Sequence, residues 1–435
     1  MMDGPALWEK SKELIPGGGS LFSKRSETLL PKNWPAYFEK TKGCEVWDIS
    51  GKKYKDIGLM GVGTNSLGYS NREIDASVMQ VIQSGNMSTL NCPEEPKLAE
   101  TLVSMHPFAQ MVKFARSGGE ANAIAVRIAR AASGRDGVLV CGYHGWHDWY
   151  LAASLSTGSN LDTHLMPGLL SAGVPAELTN TVHSFEFNDI QRVRQVIKEF
   201  DIGVIKMEVR RNFEPEAGFL EEVRRLATDN GIVLIFDECT SGFRSCFGGM
   251  HKIYEVEPDI AVFGKAMGNG YSITAVIGKR EVMESAKSTF ISSTFWTERI
   301  GPAAAIKTLE IMEREKSWEW LCHIGDYYKA NLKKMASLHN LPVTISGFPA
   351  IQSYVIDSTN WLKYKTYITQ EMLKRGYLAP PLFYACTAHT EAVIDEFFDC
   401  LDVVFQNIRH FELGSRSVDS ELDGPICQAG FKRLN

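Results

Sequence analysis

Residues 231–270, GIVLIFDECTSGFRSCFGGMHKIYEVEPDIAVFGKAMGNG, decide how this chain is read. Five apolar residues, Ile232 to Phe236, run into Asp237 and Glu238. A second apolar run, Ile260 to Phe263, runs into Gly264 and Lys265. Short β-branched and aromatic runs bounded by turn residues predict strands covered on both faces, as in a parallel or mixed sheet under helices. Each strand delivers an ionisable group to its C-terminal end, the edge where ligands of open α/β sheets sit.

Upstream, the pattern alternates. Apolar positions and turn signals predict a short helix over 6–14, a β-meander over 36–57, a glycine-rich stretch at 58–69 and helices at 72–84 and 95–105. Strand MVKFAR (111–116) then leads into SGGEANAIAVRIARAAS, where Ala121, Ile124, Ala125 and Ile128 share one helical face. Strand 137–143, a long polar loop to about Val182, helix 188–200, strand 202–209 and helix 218–230 bring the chain to the opening stretch. Strand–helix alternation implies mostly parallel pairing with right-handed crossovers. Past Gly301 the pattern predicts helices at 302–316 and 320–339, strands near 342–356, helices at 361–375 and 390–410, and a polar surface tail from Glu412. The expected organisation is an N-terminal segment with the meander (1–66), a large α/β domain (67–305) and a small α+β domain (306–435).

A chain of 435 residues exceeds what one core usually serves. Its formal net charge of −6 offers no basic surface for nucleic acid or an anionic membrane. The nine cysteines include no CxxC pair, so neither a disulfide framework nor a structural zinc site is expected. The N-terminus carries charges where a signal peptide needs an apolar core, and no run approaches the ~18 apolar residues of a membrane span. The reduced cytoplasm is the expected compartment.

An amine and a carboxylate presented at that sheet edge suit pyridoxal phosphate. Lys265 would form the Schiff base, and Asp237 would hold the pyridine nitrogen protonated. Ser117-Gly118-Gly119, between a strand and a helix N-terminus, suits a phosphate; an ordinary turn with a serine N-cap is the alternative. Tyr143 follows the next strand and offers an aromatic face for stacking. His144 beside it joins the candidate cofactor contacts. With His147 and Asp148 it also raises a metal reading, but no third ligand has suitable spacing, so no metal is expected. Glu208 ends its strand near the same edge, and a hydroxyl of Ser293-Thr294 is placed to reach a phosphate or to cap a helix.

Taken together, PGGGS (16–20), RSGGEAN (116–122), GYHGWHD (142–148), GVPAELTNTV (173–182), FDECTSGFR (236–244), FGKAMGNG (263–270) and STFWTERIGP (293–302) resemble the class III, fold type I, pyridoxal-phosphate-dependent aminotransferases. Within that class the pattern is most similar to glutamate-1-semialdehyde 2,1-aminomutase and its relatives, from about Leu14 to Phe405. The resemblance implies Lys265 as the Schiff-base lysine, Asp237 as partner of the pyridine nitrogen, Tyr143 stacked on the ring, and Ser117, Gly118 and Gly119 on the phosphate. Thr294 matches a threonine that reaches the phosphate from the neighbouring subunit, which implies a homodimer with shared sites. Glu208 matches a strand-end glutamate near the cofactor. The family's substrate-carboxylate arginine falls at Lys24 or Arg25.

This chain departs from the pattern around the substrate. Val209, Arg210 and Arg211 follow Glu208 where the family commonly has a proline and an apolar continuation, and Thr294 to Glu298 is bulkier and more polar than usual. The preferred expectation is a transaminase that takes an amino group from an amino acid such as glutamate and passes it to a carbonyl acceptor, a keto-sugar or a secondary-metabolite intermediate included. The first alternative is intramolecular aminomutase chemistry, which the 150–182 loop keeps open through its likeness to that family's lid. An inactive binding protein of the same fold is the second.

Overall fold

A computed structural model of the chain describes residues 3–155 and 171–429. They fall into two compact units, one holding the described residues up to 71 and from 319 onward, the other residues 72–318. In the first unit, helix Gly4–Leu14 is started by Asp3, whose carboxylate accepts the Ala6 N–H at 2.9 Å. The meander follows as β1 (Phe38–Lys42), β2 (Glu45–Asp48) and β3 (Lys53–Asp56), each antiparallel to the next.

The second unit is built on seven strands: β4 (Met111–Ala115), β5 (Gly137–Cys141), β6 (Val182–Ser184), β7 (Ile202–Glu208), β8 (Val233–Asp237), β9 (Ile260–Phe263) and β10 (Thr274–Gly278). Their order is β4-β10-β9-β8-β7-β5-β6. The five strands from β9 to β6 are parallel, and β10 runs antiparallel to both neighbours. Every residue of β7, β8 and β9 is buried, because helices cover the sheet. Helix Gly118–Ser133 turns Ala121, Ile124, Ala125 and Ile128 inward. Its first turn is closed by a reciprocal Ser117–Glu120 capping box, and it ends on a left-handed Gly134. At the N-terminal edge, Asp259 accepts the Leu234 N–H at 2.8 Å and pairs with Arg224 and Lys279. That end is closed by ion pairs, which leaves the C-terminal edge for chemistry.

The first unit resumes with hairpin β11 (Val343–Phe348) and β12 (Ile351–Ile356), then β13 (Tyr377–Leu378) beside β3 and β14 (Leu382–Tyr384) beside β12. The tail after helix Glu391–Glu412 is largely exposed but anchored. Val418 and Cys427 are buried, and the tail is tied to helix Trp361–Lys374 by Gln370–Glu421, Asp423–Gln370 and Cys427–Thr366 hydrogen bonds. Of the loop expected at 150–182, residues 156–170 lie outside the described residues.

Candidate active site

Strand register builds the centre of the site. In the parallel β7–β8 pair Glu208 stands beside Asp237, and in β8–β9 Asp237 stands beside Val262, three residues before Lys265. Asp237 is buried and fully engaged. Its Oδ2 accepts from Asn122 Nδ2 at 2.8 Å and pairs with His144 Nδ1 at 2.8 Å, while its Oδ1 accepts the Cys239 N–H at 3.1 Å. Lys206 Nζ, from one pleat lower on β7, lies 3.9 Å from the same Oδ2. Burial alone pushes the Asp237 carboxyl up, but the Lys206 charge and the His144 hydrogen bond overrule it and hold the group well below the usual carboxylate range.

Lys265 opens a short turn after β9 with a positive φ of 40°, a backbone strain of the kind that persists at functional sites. Its Nζ donates to Thr240 Oγ1 at 2.6 Å, and Thr240 lies in the turn that leaves Asp237. Cys239 sits within reach of both charges. Burial pushes its thiol well up, Asp237 pushes it further, and Lys265 and Lys206 oppose.

Glycine backbone supplies the rim. Within the first turn of helix Gly118–Ser133, Glu120 N–H bonds Ser117 Oγ and Ala121 N–H bonds Ser117 O, which leaves the Gly118 and Gly119 amides facing outward. The Ser117 amide is taken by the Glu120 carboxylate at 2.8 Å, so the N-cap reading describes Ser117 and the two glycines carry the open donors. Gly145, at φ +109°, approaches so closely that a Cβ there would stand 2.9 Å from Gly119 Cα. A side chain at either position would fill the cradle. Tyr143 is part-exposed, with its N–H directed to Glu208 Oε2 at 3.3 Å, and Glu208 itself is buried.

Thr294 is exposed in a short turn, Thr294–Thr297, and no hydrogen bond ties it to the cluster among the described residues. Arg116 clamps that turn to the end of β4 through the Trp296 and Glu298 carbonyls and the Glu298 carboxylate. Lys24 and Arg25 belong to the first unit, where the Arg25 guanidinium lies 3.9 Å over the Phe22 ring and against Gly17, and Lys24 is exposed. Among the described residues no cluster of three or more His, Cys, Asp or Glu is arranged for a metal, and all nine cysteines are free.

Three residues of the cluster receive no role from the sequence, although two of them, Asn122 and Thr240, lie inside the quoted motifs. Asn122 is a polar residue on a buried arc of its helix, Thr240 lies in a turn that names no partner, and Lys206 interrupts the apolar run of β7. The lysine carries a signal: a strand covered on both faces has no solvent side to which a charge can turn.

This sheet order, with a buried acid and a strained lysine at its C-terminal edge, is the architecture of the fold type I pyridoxal-phosphate transaminases. The Sphingopyxis sp. MTA144 FumI protein, solved in its pyridoxal-phosphate-linked form, superposes with a TM-score of 0.86 at 25% identity, over 97% of this chain and all of that one. The chain belongs to the class III aminotransferase family, whose model matches residues 30–380. It is similar to 3-aminobutyryl-CoA aminotransferase of Cloacimonas acidaminovorans, 32% identical over 404 residues (89% of this chain, 92% of the relative). It is also similar to glutamate-1-semialdehyde 2,1-aminomutase of Methanocaldococcus jannaschii, 31% identical over 433 residues (92% and 97%).

The residues present fit pyridoxal phosphate, the cofactor of this family. The glycine cradle leaves two amide donors for a phosphate, and a lysine and an ionised acid leave the sheet on adjacent strands. Among the described residues no helix is long and apolar enough to cross a membrane.

Proposed function

We propose that the protein is an intermolecular transaminase, taking the amino group of an anionic amino acid such as glutamate and passing it to a second carbonyl compound. Bound pyridoxal phosphate supplies the carbonyl carbon that receives the amine and the ring that withdraws electrons from the substrate carbon. Lys265 Nζ would hold the cofactor and would carry the proton to and from the substrate carbon. Thr240 Oγ1, 2.6 Å from that nitrogen, orients it. Asp237, kept ionised by its neighbours, holds the proton on the ring nitrogen, while Asn122 and His144 fix the carboxylate. Gly118 and Gly119 would hold the phosphate and the Tyr143 ring would offer its face to the cofactor, while Glu208 fixes the Tyr143 backbone.

The observation that carries this reading is the placement of Asp237 at the end of β8 and Lys265 in the turn just past the end of β9, its parallel neighbour. An anionic donor is supported by Arg210 and Arg211, which follow Val209 just past the end of β7, with the Arg210 guanidinium 3.0 Å from Glu214. Exposed Thr294, with Phe290 and Phe295 exposed near it, supports completion of the phosphate site across a homodimer, and nine free cysteines suit a cytoplasmic protein. The kinship with three glutamate-1-semialdehyde aminomutases supports a second reading, transfer within one molecule. Two-substrate kinetics separates them. Parallel double-reciprocal lines with an external donor are expected; turnover of a single amino-aldehyde without donor would replace the first reading with the second.

A further inference from the structure

Lys206 is a buried lysine inside the sheet. It lies in the middle of β7, flanked by β5 and β8, with its side chain fully buried. Strand alternation puts it on the same face as Glu208, and register puts that face level with Asp237. Its Nζ has no hydrogen-bond partner among the described residues and stands 3.9 Å from Asp237 Oδ2. A buried ammonium without hydrogen bonds is costly unless a charge nearby offsets it, and here that charge is Asp237.

The Asp237 carboxylate has about four lone-pair sites. Asn122, His144 and the Cys239 amide occupy three, so one remains for a further donor. A protonated ring nitrogen arriving there meets a carboxylate already shared with an ammonium. Two cations on one anion in a desolvated site repel each other.

We propose, building on the cofactor reading above, that Lys206 is a positioning residue that shares the Asp237 charge with the ring nitrogen of the cofactor, and so sets how strongly the protein holds that ring in its protonated form. In the cofactor-free protein the ammonium balances Asp237. On loading, the ring's proton competes with it, and the competition fades as pH rises and Lys206 gives its proton to solvent. Burial lowers the lysine's affinity for that proton, while Asp237, Cys239 and Glu208 raise it. The other groups facing the pair are His144, bonded to Asp237, and Lys265, which acts on Cys239; Asn122, from the covering helix, is neutral. The carboxylate therefore has a built-in second cation that tunes the electron sink.

The test uses 4-deoxypyridoxine 5′-phosphate, which keeps the ring nitrogen and phosphate but lacks the aldehyde, so it makes no bond to Lys265. Its affinity for the full chain, and the ultraviolet signature of its ring protonation when bound, are measured from about pH 6 to about pH 9 for the native protein, Lys206→Met, Lys206→Gln and Lys206→Arg. At the acid end the neutral variants are expected to bind about tenfold to a hundredfold more tightly and to hold more protonated ring, with the gap closing as pH rises. Lys206→Arg should keep the native profile at low pH. Should neither neutral variant fold, native affinity must still rise with pH through a titration absent from the free probe. Equal affinities at every pH, weaker binding by the neutral variants at the acid end, or a flat native profile would overturn the role of Lys206. No binding by any form of the protein would overturn the cofactor site itself.

Discussion

Replacing Asn122 with alanine removes a side chain that ties the sheet's acid to both the covering helix and the loop after β5. Its Nδ2 donates to Asp237 Oδ2 at 2.8 Å and to the His144 carbonyl at 3.1 Å, and the side chain is buried. A hydrogen bond to a charged group contributes about 1.5–3 kcal/mol, and a buried carbonyl left unpaired costs about 1–3 kcal/mol. Against this, Asn122 Oδ1 has no partner among the described residues, so its removal returns part of the loss. The net destabilisation should be about 2–4 kcal/mol. Urea unfolding of the cofactor-free chain reads this directly, and equilibrium dialysis should show cofactor affinity falling about tenfold as the Tyr143–Gly145 turn loosens. Asn122→Leu restores volume but not donors and should fare no better than alanine. A loss under about 0.5 kcal/mol with unchanged cofactor affinity would refute the claim that Asn122 locks this corner.

Two further outcomes follow from the same geometry. Asp237→Ala should keep the fold while turnover falls by at least about a thousandfold, because the ring nitrogen loses its anionic partner; a steady-state assay showing near-native turnover would contradict that role. His106, buried with Nδ1 at Leu102 O and Nε2 accepting from Gly249, is held by burial down to about 4 from a usual 6.5. The unfolded chain takes up this proton below 6.5 while the folded one does not, so stability present above 6.5 is lost as pH falls toward 4. By pH ~5 the loss from this group should reach about 2 kcal/mol. Urea midpoints at neutral pH and at pH ~5 should therefore converge for His106→Gln relative to native, and an unchanged acid slope in the variant would contradict it.

What was legible in the sequence depended on how local each signal was. β8 and β9 announce themselves because apolar runs that end in charge have few other uses, and Asp237 and Lys265 come with them. β10 also runs into a glycine and a lysine, Gly278-Lys279, but its antiparallel pairing with β4 and β9 is set by contacts distant in sequence. Ser117 was open between phosphate ligand and helix cap; the Glu120 carboxylate on its amide gives it the capping role, a choice that turns on one rotamer. Thr240 and Asn122 acquire meaning only when the turn after β8 and the start of a helix over a hundred residues earlier converge on the same acid and amine. Lys206 drew no reading from the sequence although it interrupts the apolar run of β7, and its partner appears only once strand register is known.

The central claim is that Lys265 is the amine that takes the cofactor. Borohydride reduction of the pyridoxal-phosphate-loaded protein, followed by peptide mass mapping, tests it in one step. The cofactor's mass should appear on the peptide containing Gly264-Lys265-Ala266 and vanish in Lys265→Ala; recovery on another lysine, Lys206 included, or on none would contradict it.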